Sequence, residues 1–156
     1  MNIDVGTVLR WDNFPLARFG ERNKARWLIC LGMTGKFAQI AAVYCSTTTT
    51  QIHDFSRSGR RFNHSHFIFR VNQFPLFDED CAIDFDERPY PVNPKILSAH
   101  SADIETKGRL PEETMRMIYN RFLKSSAISP IEMNDIHDSY NRVGITGLKR
   151  KKRKKR

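Results

Sequence analysis

Cysteine is scarce in this chain, and the three present, Cys30, Cys45 and Cys81, form no Cys-x-x-Cys pair. An odd count without that spacing indicates neither a disulfide framework nor a zinc site. Two of them fall in apolar runs and read as small buried side chains. Also missing is any apolar run approaching the length of a membrane span, and Met1 to Asp4 begins no signal peptide. The expectation is a cytoplasmic protein with no membrane partner. There is no Gly-rich phosphate loop, no Gly-x-Ser-x-Gly and no His-Glu-x-x-His, so nucleotide hydrolysis and zinc catalysis fall away. His64 and His66 would share one face of a strand, but no third ligand stands nearby, and neither a metal nor another cofactor is expected. Asp135, His137 and Asp138 crowd one helix and read as its polar face.

What is present is enough for one domain: 156 residues, 40% of them hydrophobic. The net charge of +9 is unevenly spread. With 26 Lys and Arg against 17 Asp and Glu, and eight of the cations in the unbroken run Lys149 to Arg156, the stretch Met1 to Leu148 carries only +1. The run cannot bury anything and repels itself, so a disordered basic tail is expected over 146–156. Within the body, Arg18, Arg22, Lys24, Arg26, Arg57, Arg60 and Arg61 flank two loops, while Asp78, Glu79, Asp80, Asp84, Asp86 and Glu87 cluster elsewhere in sequence. That segregation predicts a basic face and an acidic face.

Residues 5–11 read as a first strand and Asn13 to Asn23 as a loop. Two apolar runs follow, Trp27 to Leu31 and Phe37 to Cys45, joined by a Gly-containing turn at Gly32 to Lys36 and read as a hairpin. The ends of hairpin strands furthest from the turn lie side by side, which sets Arg26 near Thr47 to Thr50. A forked guanidinium beside hydroxyl donors suits a phosphate. Thr47 to Arg61 reads as a loop over that site. His66 to Val71, Cys81 to Phe85 and Ile96 to Ile104 read as further strands, interrupted by Pro75 and by Pro89, Pro91 and Pro94. A helix is signalled over Pro111 to Lys124, with Met115, Ile118, Tyr119 and Phe122 as an apolar stripe that is core or dimer surface. A second, from Pro130 to about Tyr140, opens with the capping box Ser129, Pro130, Glu132 and forms a short helical extension over 126–145. The fold class is mainly β with C-terminal helices, a compact barrel or sandwich.

At several of these residues the chain resembles the MazF/PemK-type toxins, small RNA-cleaving endoribonucleases of bacterial toxin–antitoxin systems. The matching pieces are Gly6-Thr7-Val8-Leu9-Arg10-Trp11-Asp12 with Phe14 close behind, Glu21 five residues before the strand-initiating Arg26, and Thr49-Thr50-Gln51 after the next strand. Later, Lys107-Gly108-Arg109-Leu110-Pro111-Glu112-Glu113 resembles a strand that runs through a basic-Gly turn into the final helix. The similarity covers roughly residues 5–125 with a poorly matched middle, and order and spacing carry it. The family usually has Pro directly after the Arg, where this chain has Trp27. The resemblance implies an SH3-like small barrel over 1–125, a homodimer, single-stranded RNA as substrate, and neutralisation by an acidic antitoxin protein.

Metal-independent RNA cleavage uses the neighbouring 2'-hydroxyl as nucleophile. The enzyme must remove that proton, stabilise the pentavalent state and protonate the leaving 5'-oxygen. Glu21 is the candidate base, Arg26 the electrostatic stabiliser and Thr49 the phosphate-positioning hydroxyl. Arg22, Lys24, Thr50, Gln51, His53, Arg57, Arg60 and Arg61 are the candidate RNA-binding residues, His53 doubling as a possible acid because imidazole titrates near working pH. Two rivals remain open at this point. One is a noncatalytic nucleic-acid-binding module on the same barrel, and the other a protein-interaction barrel presenting Phe67, Phe69 and Phe74.

Overall fold

The computed structural model describes residues 2–18, 20, 24–35 and 38–152. Seven antiparallel strands make its sheet: β1 (Thr7–Trp11), β2 (Arg26–Met33), β3 (Val43–Thr49), β4 (His66–Phe69), β5 (Cys81–Asp84), β6 (Tyr90–Val92) and β7 (Ile104–Arg109). Their order is β4-β5-β3-β2-β1-β7, with β6 also paired to β3. The path is open, with β4 and β7 at its ends among the described residues. Strand β3 is the hub. One edge pairs with β2 over Val43 to Thr47, while the other pairs with β6 at Val43 to Cys45 and with β5 at Thr48 and Thr49.

Alternation along β2 explains the two cores. Leu28 and Cys30 point to one face, where they join Trp11, Phe14, Val43, Cys45 and Tyr90. Ile29 and Leu31 point to the other, into the larger cluster with Val8, Tyr44, Phe69 and Ile83. Burial holds the Cys30 and Cys81 thiols up at about 12 and raises Cys45 as well, so all three cysteines are core residues. Phe67, Phe69 and Phe74 pack edge-to-face on one another within the larger cluster, Phe69 fully buried. Phe67 and Phe74 are only partly buried there.

Two helices cover the larger core. Helix α2 (Glu112–Leu123) buries Met115, Ile118, Tyr119 and Phe122, so its stripe is core. Helix α3 (Pro130–Arg142) has the expected capping box, with Ser129 accepting from the Glu132 N–H and Glu132 reaching back to the Ser129 N–H. It buries Met133, Ile136 and Tyr140. Its seat on β2 is made by Gly32, where φ is +153° and a Cβ would lie 2.8 Å from Ser139 Cβ and 3.2 Å from the Ile136 Cα. Ser139 then closes the contact: its hydroxyl accepts from the Met33 N–H at 2.9 Å and lies within bonding distance of the Met33 and Asp135 carbonyls.

Several expectations are corrected. Strand β2 continues to Met33 and β3 begins only at Val43, so the apolar run from residue 38 is connection, with Ile40 79% exposed. A register shift between Cys30 and Gly32 moves the pairing along, and Thr47 to Thr49 are strand, not loop. The segment expected as a strand from Ile96 starts instead as helix α1 (Pro94–Ala99), because Asn93 Oδ1 caps the Lys95 N–H and Pro94 suits the first helical position. A 3-10 turn at Ser101–Asp103 leads into β7. Tyr90–Val92, passed over for its prolines, pairs with β3, and Pro91 there is exposed on a short strand. Lys107-Gly108-Arg109 is no turn: it lies within β7, opposite an irregularity at Val8/Leu9.

The basic run begins against the body. The Tyr119 hydroxyl donates to the Lys149 carbonyl, His137 Nε2 lies 2.9 Å from the Leu148 carbonyl, Arg150 pairs with Asp138 at 2.9 Å, and Lys151 Nζ donates to the Ile128 carbonyl at 2.8 Å. Residues 153–156 lie outside the described part.

Candidate functional site

Leu28 is paired with Thr47, and continuing that register sets Arg26 opposite Thr49 at the far end of the hairpin. Both are half-buried strand-terminal residues whose side chains leave the same face. Thr49 Oγ1 accepts the Gln51 N–H at 3.1 Å, which orients the hydroxyl and leaves its proton for another acceptor. The preceding loop comes down on the guanidinium at Gly20, where φ is +77° and a Cβ would stand 2.7 Å from Arg26 Nη2.

Two clefts of about 300 Å³ each open at this end, one on each face of the sheet. Lys24, Arg26, Thr48, Thr49 and Gln51 form the ridge between them. On the first side lie Trp27, Phe77, Arg10 and Thr50, with the carboxylates of Asp78 and Glu79. Trp27 packs against Phe77 with centroids 5.7 Å apart, and the Lys107 ammonium stands 5.5 Å from its ring. The second cleft holds Thr47, Arg60, Arg61, Asp84, Glu87 and Tyr90. A wider depression of about 590 Å³ continues past Arg61 and Glu87 towards Arg18, His64 and Arg88.

The expected separation of a basic from an acidic face does not hold. Antiparallel pairing of β5 with β3 carries Asp84 and the turn after it, including Glu87, beside Thr47 and into contact with Arg61. Arg61 Nη1 lies 3.3 Å from Asp84 Oδ2 and 3.6 Å from Glu87 Oε2, and His64 Nδ1 is 2.8 Å from the same Asp84 oxygen. His64, Asp84 and Asp86 bring potential ligand atoms within 4.8 Å of one another. The Arg61 guanidinium and His64 meet one Asp84 oxygen, the Asp86 N–H the other, and the Ser65 N–H Asp86 Oδ2, so the group stands as an ion-pair cluster.

The predicted site residues thus divide. Arg26, Thr49, Lys24, Thr50, Gln51, Arg60 and Arg61 line the clefts. His53 and Arg57 line neither: His53 is on a 3-10 turn, 73% exposed, with Nε2 3.5 Å from Asp54. Glu21 and Arg22 lie outside the described residues. Sequence reasoning passed over Thr48, Trp27, Asp84 and Glu87 as site residues. Only the β3–β5 pairing reveals the last two, since some forty residues separate them from the threonines.

The loop bearing Arg60 and Arg61 is folded on itself. The Arg61 N–H donates to the Asp54 carbonyl at 2.8 Å, and Arg60 Nε meets Asp54 Oδ2 at 3.1 Å. Gly59 permits this, because a Cβ there would fall 2.2 Å from the Asp54 carbonyl oxygen and 2.5 Å from that of His53. Gly59→Ala must therefore move backbone and displace both arginines. Forcing a methyl group into that space costs about 1–3 kcal/mol, so the melting temperature of Gly59→Ala is expected to fall. A melt identical to the wild type would show that the loop gives way without cost.

Comparison with family models, with curated proteins and with solved structures yields no match to this chain. What the geometry defines is a mainly antiparallel β protein with C-terminal helices, whose paired clefts mix guanidinium, hydroxyl and carboxyl groups. No helix among the described residues is long and apolar enough to cross a membrane.

Proposed function

We propose that this chain is an endoribonuclease that cleaves single-stranded RNA through the 2'-hydroxyl, on an SH3-like barrel resembling the MazF/PemK toxins. The observation that carries the reading is the opposition of Arg26 and Thr49 on the ridge between the two clefts. A scissile phosphate on that ridge meets a planar fork of donors from Arg26 and an oriented hydroxyl from Thr49. Half-buried Trp27 then offers an aromatic face in the first cleft for a flanking base, the mode by which unpaired bases are held. Glu21 remains the candidate base. Because the nucleophile belongs to the substrate, the chemistry requires no metal. The reading carries with it a homodimer and an acidic inhibitor protein that competes with RNA for the same ridge, acting in the cytoplasm.

The test is incubation of the purified protein with a long RNA in excess chelator, followed by end analysis. Fragments with 2',3'-cyclic phosphate and 5'-hydroxyl ends are expected. Intact RNA would remove the reading, and RNA that is bound but uncut would leave the noncatalytic binding module in its place.

The tail supplies a further expectation. A chain ending at Lys152 retains Lys149 to Lys151 against the body and lacks the last four cations. Each phosphate that the shortened tail no longer neutralises should flatten the salt dependence of RNA affinity by about 0.7 in log–log slope. Cut sites and the rate at saturating RNA should not change, because cations on the phosphate backbone do not read bases. An unaltered slope would make the tail a bystander.

A further inference from the structure

Cleavage by an internal 2'-hydroxyl needs a proton for the departing 5'-oxygen, and neither Arg26 nor His53, among the described residues marked in the sequence, is well placed to give it. Arg26 is a poor source because a guanidinium holds its proton. His53 stands in solvent, outside both clefts. The turn after β5 brings another group into the second cleft: Glu87, with its side chain 20% exposed, on the same cleft wall as Arg26, Thr47 and Thr49.

Two carboxyl groups there share one guanidinium. Arg61 lies nearer Asp84, at 3.3 Å, than Glu87, at 3.6 Å. Asp84 is further engaged by His64 at 2.8 Å and by the Asp86 N–H at 2.9 Å. Both line the second cleft, and Glu87 is the less firmly held of the two. Burial lifts its pKa above the ordinary carboxyl value, the nearby Asp84 adds to the rise, and Arg61, Arg18 and a hydrogen bond from Thr47 oppose it. Lys24, Arg26 and Arg60 in the cleft, and Asp86 and Arg88 in the adjoining depression, are the remaining charges lining the spaces it borders. A pair of neighbouring carboxyls in such different surroundings is the arrangement from which acid and base assignments arise.

We propose that Glu87 is the general acid of this cleft, giving its carboxyl proton to the 5'-oxygen of the leaving nucleotide. In the step, the 2'-oxygen forms a bond to phosphorus and the bond from phosphorus to the 5'-oxygen breaks. The 2'-hydroxyl proton passes to the base, and the Glu87 proton passes to the 5'-oxygen, leaving a carboxylate that water reprotonates. Arg61 and Asp84 act as positioning residues, holding Glu87 towards the ridge. This assignment rests on the endoribonuclease reading.

The experiment first maps a bond that the wild-type protein cuts in a long RNA, then compares two oligonucleotides spanning it. One is all-oxygen RNA, and the other carries sulfur in place of the bridging 5'-oxygen, a leaving group that departs without a proton. Glu87→Gln is expected to lower kcat on the all-oxygen substrate by about 10²–10⁴-fold and to cut the sulfur substrate at close to the wild-type rate, with RNA affinity retained. Should the variant not fold, the wild-type protein answers alone. Its kcat on all-oxygen RNA falls by about tenfold per pH unit above the Glu87 pKa, and this limb is absent with the sulfur substrate. Equal losses on both substrates, or identical pH profiles, overturn the assignment while leaving the endoribonuclease reading intact. A wild-type protein that cuts no RNA overturns both.

Discussion

Arg26→Ala is expected to lower RNA cleavage by about two orders of magnitude or more, the usual cost of removing one preorganised donor to a charged transition state. The protein should remain folded. Arg26 is the first residue of β2, and the cores on either side begin at Leu28 and Ile29, so truncation at the strand end leaves both intact. Arg26→Lys should recover only part of the loss, because an ammonium is a point charge and cannot hold two phosphate oxygens in the plane of a fork. Cleavage of a mapped oligonucleotide, measured beside a thermal melt, checks both statements. Unlike Glu87→Gln, Arg26→Ala should impair the all-oxygen and the 5'-sulfur substrates alike, since the pentavalent charge forms with either. An Arg26→Ala enzyme of undiminished rate would remove this residue from the mechanism.

Gly32→Val should produce the largest loss of stability. The added side chain would press into Ser139 and the backbone at Ile136, and its backbone would have to hold φ near +153°. Overpacking of this kind costs about 1–3 kcal/mol, and a strained backbone conformation costs about 1–3 kcal/mol more. Set against a total stability of about 5–15 kcal/mol, the sum should lower the melting temperature by about 10 °C or more. Gly35→Ala is the matched control. Among the described residues, its chain neighbours apart, no atom lies within 4 Å of a Cβ at Gly35, and its melt should follow the wild type. If Gly32→Val melted with the control, the close seat of α3 on β2 would have no energetic weight.

Legibility from sequence followed the range of the interaction. The helices α2 and α3 were readable because their signals are local: a proline at the first turn, a capping box, and an apolar stripe at Met115, Ile118, Tyr119 and Phe122. The opposition of Arg26 and Thr49 was readable because a hairpin is also local. Phe37 to Cys45 misled, since an apolar run does not mark where its strand begins, and β3 begins only at Val43 and runs on into the threonines. At Asn93-Pro94 the cap was visible, yet proline was read as an interruption and not as a helix start. The carboxyl side of the site was illegible for a different cause. Glu87 reaches the second cleft only because β5 pairs with β3, a pairing that no spacing in the chain announces.

The seat of α3 bears on how the molecule comes into being during synthesis. Met33 and Ser139 are joined across 106 positions, and Asp4 and Arg142 across 138. Contacts of such separation slow folding, because long loops must close before they are rewarded. A nascent chain that has not yet released residues 130–142 from the ribosome lacks Met133, Ile136 and Tyr140, and leaves Ile29 and Leu31 of β2 without that covering. Strands β2 and β3, which carry Arg26 and Thr49, therefore gain that covering only once residues 130–142 are free to fold back onto them.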